Sequence, residues 1–384
     1  MKIALVNHTF SSSHGGLERF SVNLAAVLVG KGHEVHAVGM CLEELPAAVV
    51  LHPVRAARRP AWWRPLSFMR GVRRVLASQP FDIRYGLTRC HPLDVYRLGD
   101  GVQRHWLRLR YPSAPLRWLA CLVNPVHLAN LYLERRLFAP GGCRLLITNS
   151  QLCKRQVQQY YSVADERVTV VYNGVDTALF APAVIAPLRT DCRRELQLDD
   201  SDIVILYVSN NWRRKGLAVL ISAMALLGQR GASLRLVVVG RGRPAPFLRL
   251  ARRLGLNERI RFVSPTRVVQ RYYAAGDLLV LPTVYDPFAN VCLEAMACGL
   301  PVVTTAGNGA AELIRAGENG YVQSDPGDAS ELAGLLAHCL DLQRLRHMGE
   351  RARETAIPYS RERNMEQTLG FFQWLLTGRG APGM

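Results

Sequence analysis

Asp286 and Glu294 stand with seven residues between them in VLPTVYDPFANVCLEAMACGLPVVTT, residues 280–305. The flanking apolar runs read as strands, which places the acids in a turn and on the short helix that follows. Free N–H groups at such a helix start accept phosphate oxygens, and carboxylates accept sugar hydroxyls. The pattern therefore fits a site for a nucleotide-sugar. Asp286 followed by Pro287 is also an ordinary helix-start signal. Glu294, on an otherwise apolar helix, needs a partner, either a ribose diol or a buried arginine.

Cations follow the same logic. NNWRRKG (210–216) comes directly after the apolar run 203–209, so Arg214 and Lys215 sit at the carboxyl end of a strand. Open α/β sheets bind ligands there, and this pair could neutralise a leaving diphosphate without a metal. Gly15 and Gly16 follow the first strand and open a helix, either as a tight turn or as bare backbone that a phosphate or sugar can approach. Asp100 is the one acid of VYRLGDGVQRH. It faces a reacting sugar or pairs with Arg97 or Arg104. His91, Asn149, Ser150, Asn173 and Gly174 are further polar candidates near strand ends, each with a structural explanation.

The elements that position these residues alternate strand and helix along the whole chain, the pattern of parallel sheets covered by helices. The pattern lapses over about 177–200, which carries prolines and reads as a linker, and restarts at 203. The 384 residues suffice for two domains: 1–180, 200–358, and a C-terminal helix in 359–384. Nine cysteines with no C-x-x-C pair read as reduced thiols of a cytosolic compartment. The N-terminus lacks the apolar length of a signal peptide, and no stretch has the length of a spanning helix.

The net charge is +18. Residues 1–182 contain 23 Lys and Arg against 11 Asp and Glu, and 14 arginines fall between Arg55 and Arg117 with only three acids. A codon bias explains the preference for Arg over Lys but not this clustering, which would attract phospholipid headgroups, a phosphorylated glycolipid or nucleic acid. No recognition motif supports nucleic acid. The segment 104–138 mixes Trp, Tyr and Leu with Arg, as a helical hairpin at a bilayer interface or an ordinary core hairpin with an arginine edge.

The chain resembles glycosyltransferase family 4, the retaining enzymes of GT-B fold, and most of all its lipopolysaccharide-core glucosyltransferase branch. The likeness rests on GGLERF, LDVYRLGDG, TNSQ, VVYNGVD, RRKG, VVVGRG and DPFANVCLEAMACGLPVVTT, in the family's order over nearly the whole chain. It implies two Rossmann-like domains facing across a cleft, with the C-terminal helix crossing back to the first. It also implies roles: Gly15 and Gly16 beside the donor sugar and its diphosphate, and Arg214 and Lys215 on the diphosphate. Arg261, Phe262 and Val263 would offer backbone to the base, and Phe288, Ala289, Asn290 and Val291 amides to sugar and phosphates. Asp286 would touch the donor hexose, Glu294 the ribose diol, and Asp100 would lie near the acceptor. Asp286 departs from the family, where Glu is usual.

The expectation is a hexosyltransferase that moves a sugar, glucose by default, from a nucleotide diphosphate sugar (uridine-linked by default) to a lipopolysaccharide-core or other glycolipid. It needs no metal and no cofactor, binds no nucleic acid, and acts in the cytoplasm at the inner face of the membrane, on whose anionic surface its basic half docks. The rivals are a nucleotide-sugar epimerase of the same fold and a catalytically silent scaffold that binds anionic surfaces.

Overall fold

The computed structural model describes residues 1–11 and 16–378. The chain divides into two compact units, Met1–Tyr172 with Met365–Met384, and Asn173–Asn364.

The first unit contains β1 (Lys2–Val6), β2 (Thr9–Phe10), β3 (Glu34–Gly39), β4 (Cys41–Leu42), β5 (Val50–Pro53), β6 (Ile83–Gly86), β7 (Leu93–Leu98), β8 (Cys143–Thr148) and β9 (Val168–Val170). Seven of them form a parallel sheet in the order β5-β3-β1-β6-β7-β8-β9, while β2 and β4 pair apart. Alternation along β1 sends Ile3 and Leu5 to one face and Ala4 and Val6 to the other. The first face packs Val35, Ala37, Leu24, Leu28 and Phe372, and the second packs Val38, Phe68, Val72, Leu133 and Leu137. Strand β7 gave no clear sequence signal because Asp94 and Arg97 interrupt its apolar run. Both are buried with partners: Asp94 bonds Arg84 Nε at 2.9 Å, and Arg97 lies 4.8 Å from the Phe20 ring centre.

The second unit contains β10 (Ile203–Val208), β11 (Leu234–Val239), β12 (Ile260–Val263), β13 (Leu278–Leu281), β14 (Val302–Thr305) and β15 (Gly320–Gln323), all parallel in the order β12-β11-β10-β13-β14-β15. IVILYV and LLVL are continuous apolar runs because helices cover both faces of the sheet. In each sheet the strand order reverses beside the first strand, the doubly wound arrangement whose ligand site lies at the carboxyl ends next to the reversal.

The region 177–200 is not a linker. It forms helices Pro182–Ile185 and Arg189–Glu195 of the second unit. Its prolines occupy first-turn positions, where no helical N–H is lost. Buried Arg193 fastens it by donating to Ala275 O, Asp202 O and Asp199 O. The chain crosses between units at residues 172–173 rather than at a long spacer. It returns within helix Arg361–Thr377, whose start bonds Val175 and whose Met365, Leu369, Phe371 and Phe372 complete the first unit's core. Two helices follow β15, Ala329–Ala337 and Leu342–Ala356, with Asp341 capping the second.

Phe372 is fully buried with its ring centre 5.1 Å from that of Tyr85. Phe372→Ala is expected to cost the first unit about 3–5 kcal/mol in urea unfolding followed by fluorescence. A loss below about 1 kcal/mol would mean that the terminal helix is not part of that core.

Candidate active site

Strands β10 and β13 are neighbours at the reversal point of the second sheet, and the loops leaving them bring the predicted cation pair to the predicted acid. After β10 the chain turns through Asn210, Asn211 and Trp212 and reaches Arg214 and Lys215. Gly216 then starts helix Leu217–Leu226 in the left-handed region, at φ 78°. A Cβ there would stand 2.0 Å from the carbonyl oxygen of Pro282, so only glycine lets the two loops touch. Val284 N donates to Arg214 O at 3.0 Å, and Arg214 Nη1 donates to Tyr285 O at 3.1 Å. Lys215 Nζ forms an ion pair with Asp286 Oδ2, and both side chains are largely removed from solvent.

Asp286 is not a helix cap. Helix Asn290–Ala297 begins four residues later behind Ala289, and Asp286 Oδ1 instead accepts from Phe288 N at 3.1 Å. That helix has no side-chain cap, and the residue before it is held instead by Asn308, which is buried: its Oδ1 accepts from Ala289 N and Ala310 N, and its Nδ2 donates to Thr304 Oγ1 at 2.9 Å. Asp286 N donates to Gly307 O and Gly309 N to Asp286 O, which holds the turn on both sides. Asn308 carried no readable signal for this role, since Ala289, the partner that ties it to the Asp286 turn, lies 19 positions upstream. Glu294, half-buried, accepts from Tyr273 Oη at 2.8 Å, a hydroxyl partner in place of the buried arginine considered from sequence. Asn290 Oδ1 accepts from Asn173 Nδ2 at 2.7 Å, which ties the helix start to a second sequence candidate. Gly174 packs against the chain at Ser360 and Arg361.

Electrostatics follow from burial. Desolvation, and then the neighbouring Arg214, push the Lys215 ammonium down to about 7, while contact with Asp286 favours its charged form. Arg214 is itself lowered by burial. Burial and the Glu294 carboxylate drive the Tyr273 hydroxyl well up, so it is a stable donor to that acid.

Arg261, Phe262 and Val263 form most of edge strand β12. Phe262 lies against the Trp212 ring, with centres 5.3 Å apart, and Val263 O accepts from Gly240 N. Among the described residues no group of three His, Cys, Asp or Glu side chains is placed to hold a metal.

A glycosyl transferases group 1 model matches residues 202–341, and a glycosyltransferase family 4 model matches residues 100–179. The lipopolysaccharide glucosyltransferase WaaG of Escherichia coli is 28% identical over 345 residues, 86% of this chain and 88% of that one. A crystal structure of WaaG, a glycosyltransferase involved in lipopolysaccharide biosynthesis, superposes with a TM-score of 0.82 at 25% identity, covering 96% and 99% of the two chains. The chain belongs to the GT-B glycosyltransferases. The Anabaena protein HepE in complex with UDP-glucose shares the fold, with a TM-score of 0.71 at 22% identity over 97% and 99% of the chains.

In the glycosyltransferase's first unit the predicted residues fall differently. Gly15 lies outside the described residues, and Gly16 begins helix Gly16–Gly30. Asp100 pairs with neither Arg97 nor Arg104 but with Arg89, which sequence reading passed over. Arg89 also donates to Gly101 O at 2.7 Å and stands 3.9 Å from the fully buried Glu134. Glu134 in turn accepts from Gln103 N, Arg104 N and Tyr161 Oη, and so fixes the start of helix Gln103–Arg110. Asn149 Nδ2 donates to Gly99 O, beside Asp100, and Ser150 caps helix Gln151–Tyr161. His91 is buried, and burial lowers its pKa.

Asp286→Ala leaves the Lys215 ammonium buried without its carboxylate and is expected to destabilise the second unit by about 3 kcal/mol. Adding Lys215→Met is expected to recover most of that loss. Additive losses in a double-mutant cycle measured by urea unfolding would show that the two side chains do not interact.

Proposed function

We propose that this enzyme moves a hexose from a nucleotide diphosphate sugar to a glycolipid acceptor, with retention at the anomeric carbon. The observation that carries the reading is the convergence of Arg214, Lys215 and Asp286 at the carboxyl ends of β10 and β13, with Glu294 on the helix that follows. A diphosphate at Arg214 and Lys215 would find two desolvated cations, where charge stabilisation of a leaving group is strongest. Asp286 would accept from hexose hydroxyls and Glu294 from the ribose diol, with the amides of residues 288–291 on the sugar and phosphates. The anomeric carbon–phosphate oxygen bond breaks as the acceptor oxygen bonds from the same face, and the acceptor proton passes to the departing phosphate. That route calls on no protein base and no metal. Uridine diphosphate glucose is the first donor to try, since HepE binds it on the same fold and WaaG is a glucosyltransferase.

A glycolipid acceptor is supported by the first unit's surface. Helix Ala114–Val123 buries only Cys121 and exposes Leu116, Trp118 (68%), Leu119, Leu122 and Val123 (78%). That exposure favours the bilayer-interface reading of 104–138 over the core hairpin. Arginines 104, 108, 110 and 117 lie close to it in sequence, a charge suited to anionic headgroups. No helix among the described residues is long and apolar enough to cross a membrane.

Purified protein is incubated with labelled nucleotide-sugars and truncated lipopolysaccharide. Label in the glycolipid, in the donor's anomeric configuration by NMR, is the expected result. Free isomerised sugar would favour the epimerase, and neither binding nor transfer the silent scaffold. Burial and Arg214 bring the Lys215 ammonium down to about 7 and the Asp286 carboxylate opposes them, so its charge is lost as pH rises from about that value upward. UDP affinity is therefore expected to fall by up to about tenfold per unit as pH rises through it, and Lys215→Arg to flatten the profile. A wild-type profile that is flat between about pH 6 and 9 would count against this role. Binding to anionic vesicles is expected to weaken with salt and to drop in Trp118→Glu/Leu122→Glu. Equal binding to neutral vesicles would remove the electrostatic part of the docking.

A further inference from the structure

The first unit has a second basic feature, away from the exposed helix. Strands β3 and β5 run side by side and leave the sheet as Met40 and Val54. There, at the carboxyl ends, Met40, Val54, Arg55, Ala56, Arg58 and Arg64 enclose a pocket of about 680 Å³. Among the described residues no carboxylate lines it. The side chains of Arg55, Arg58 and Arg64 make no hydrogen bond or ion pair among the described residues, whereas Arg84, Arg89, Arg189 and Arg193 all have carboxylate partners.

Unpaired surface arginines are commonly just solvated. Three observations set these apart. The chain has no Asp or Glu between Glu44 and Asp82, so the segment carrying these arginines supplies no counter-charge of its own. Arg64 lies in the first turn of helix Trp63–Ser78, which has no acid in that turn and no side-chain cap, leaving the positive end of its dipole on the pocket side. Finally, Nδ1 of His8 is buried and has no hydrogen-bond partner among the described residues. Its ring packs 4.2 Å from that of Phe68 on the same helix, and its carbonyl accepts from Met40 N. Burial and then Arg64 hold His8 down at about 4, and Asp100 lies within electrostatic reach of the same ring. Pocket and Asp100 thus share one neighbourhood at the carboxyl ends of this sheet, where a ligand of the first unit belongs.

We propose that this pocket is a subsite for a phosphomonoester carried by the acceptor saccharide, with Arg55, Arg58 and Arg64 as its cationic wall. Guanidinium forks match phosphate oxygens in pairs, and the space is large enough for a phosphorylated sugar unit. The inference rests on the transferase reading and narrows its acceptor to a phosphorylated saccharide.

The intact chain is titrated calorimetrically with glucose 6-phosphate and with glucose. The phosphosugar is expected to bind and glucose not to. Arg58→Ala/Arg64→Ala is expected to weaken phosphosugar binding at least about tenfold, with its melting temperature checked. Arg253→Ala, an exposed arginine of the second unit, is expected to leave it unchanged. No binding by the wild type, or equal weakening by Arg253→Ala, overturns the subsite. A double variant that loses anionic phospholipid vesicles but keeps glucose 6-phosphate would assign these arginines to headgroups and overturn it as well. In the turnover assay, transfer is expected to be at least about tenfold slower to phosphatase-treated lipopolysaccharide. Equal rates would sink the subsite and leave the transferase standing. Transfer to neither would sink the transferase reading, with the titration still deciding whether the pocket takes a phosphomonoester.

Discussion

A desolvated ammonium facing one carboxylate, Lys215 against Asp286, is the contact around which the second unit's site is arranged. Such a pair adds little net stability, because removing both charges from water consumes most of their attraction. It persists because the backbone leaves no alternative. The β10 and β13 loops touch at Gly216 and Pro282, where a methyl group would not fit, and two further bonds join Arg214 to Val284 and Tyr285. Asn308 then locks the far side of the turn from within the core. The cation is held where solvent cannot screen it, with a single counter-ion that an incoming dianion can rival.

Much of this was legible from sequence, for a physical reason. Continuous apolar runs such as IVILYV announce central parallel strands, and ligands of such sheets gather at the carboxyl ends. Arg214, Lys215 and Asp286 could therefore be placed together although about seventy residues separate them. What escaped were partners supplied from afar. Asp286 with Pro287 looked equally like a helix cap, whereas the helix starts four residues on, behind Ala289, whose N–H is taken by Asn308. Glu294 needed a partner that sequence could name only as a class, and Tyr273 supplies it. Strand β7 was hidden by Asp94 and Arg97, whose partners come from elsewhere: Arg84 for the acid, the Phe20 ring and Val171 O for the arginine. The stretch 177–200 read as a linker because proline at a helix start and proline in a loop look the same in one dimension.

The first unit illustrates a different limit. Pattern alone left the aromatic, arginine-rich segment 104–138 open between a core hairpin and an interface, since both bury apolar residues against something. Exposure bears on the choice: Trp118, Leu122 and Val123 stay mostly exposed, whereas Leu133 and Leu137 on the next helix are buried. Asp100 was likewise legible as an acid with a cationic partner, but Arg89 is chosen over Arg97 and Arg104 because those two are engaged by Phe20 and Tyr160.

The last helix sets an order of events on the ribosome. Phe371 and Phe372 fill the core that contains Ile3 and Leu5, yet they are made only after the whole second unit, Asn173–Asn364. While the second unit is being synthesised and closing on itself, the first holds an open apolar face over β1, β3 and β6. A nascent chain in that state is a natural client for chaperones that shield exposed hydrophobic surface. A premature stop just before Met365 would leave that surface open permanently.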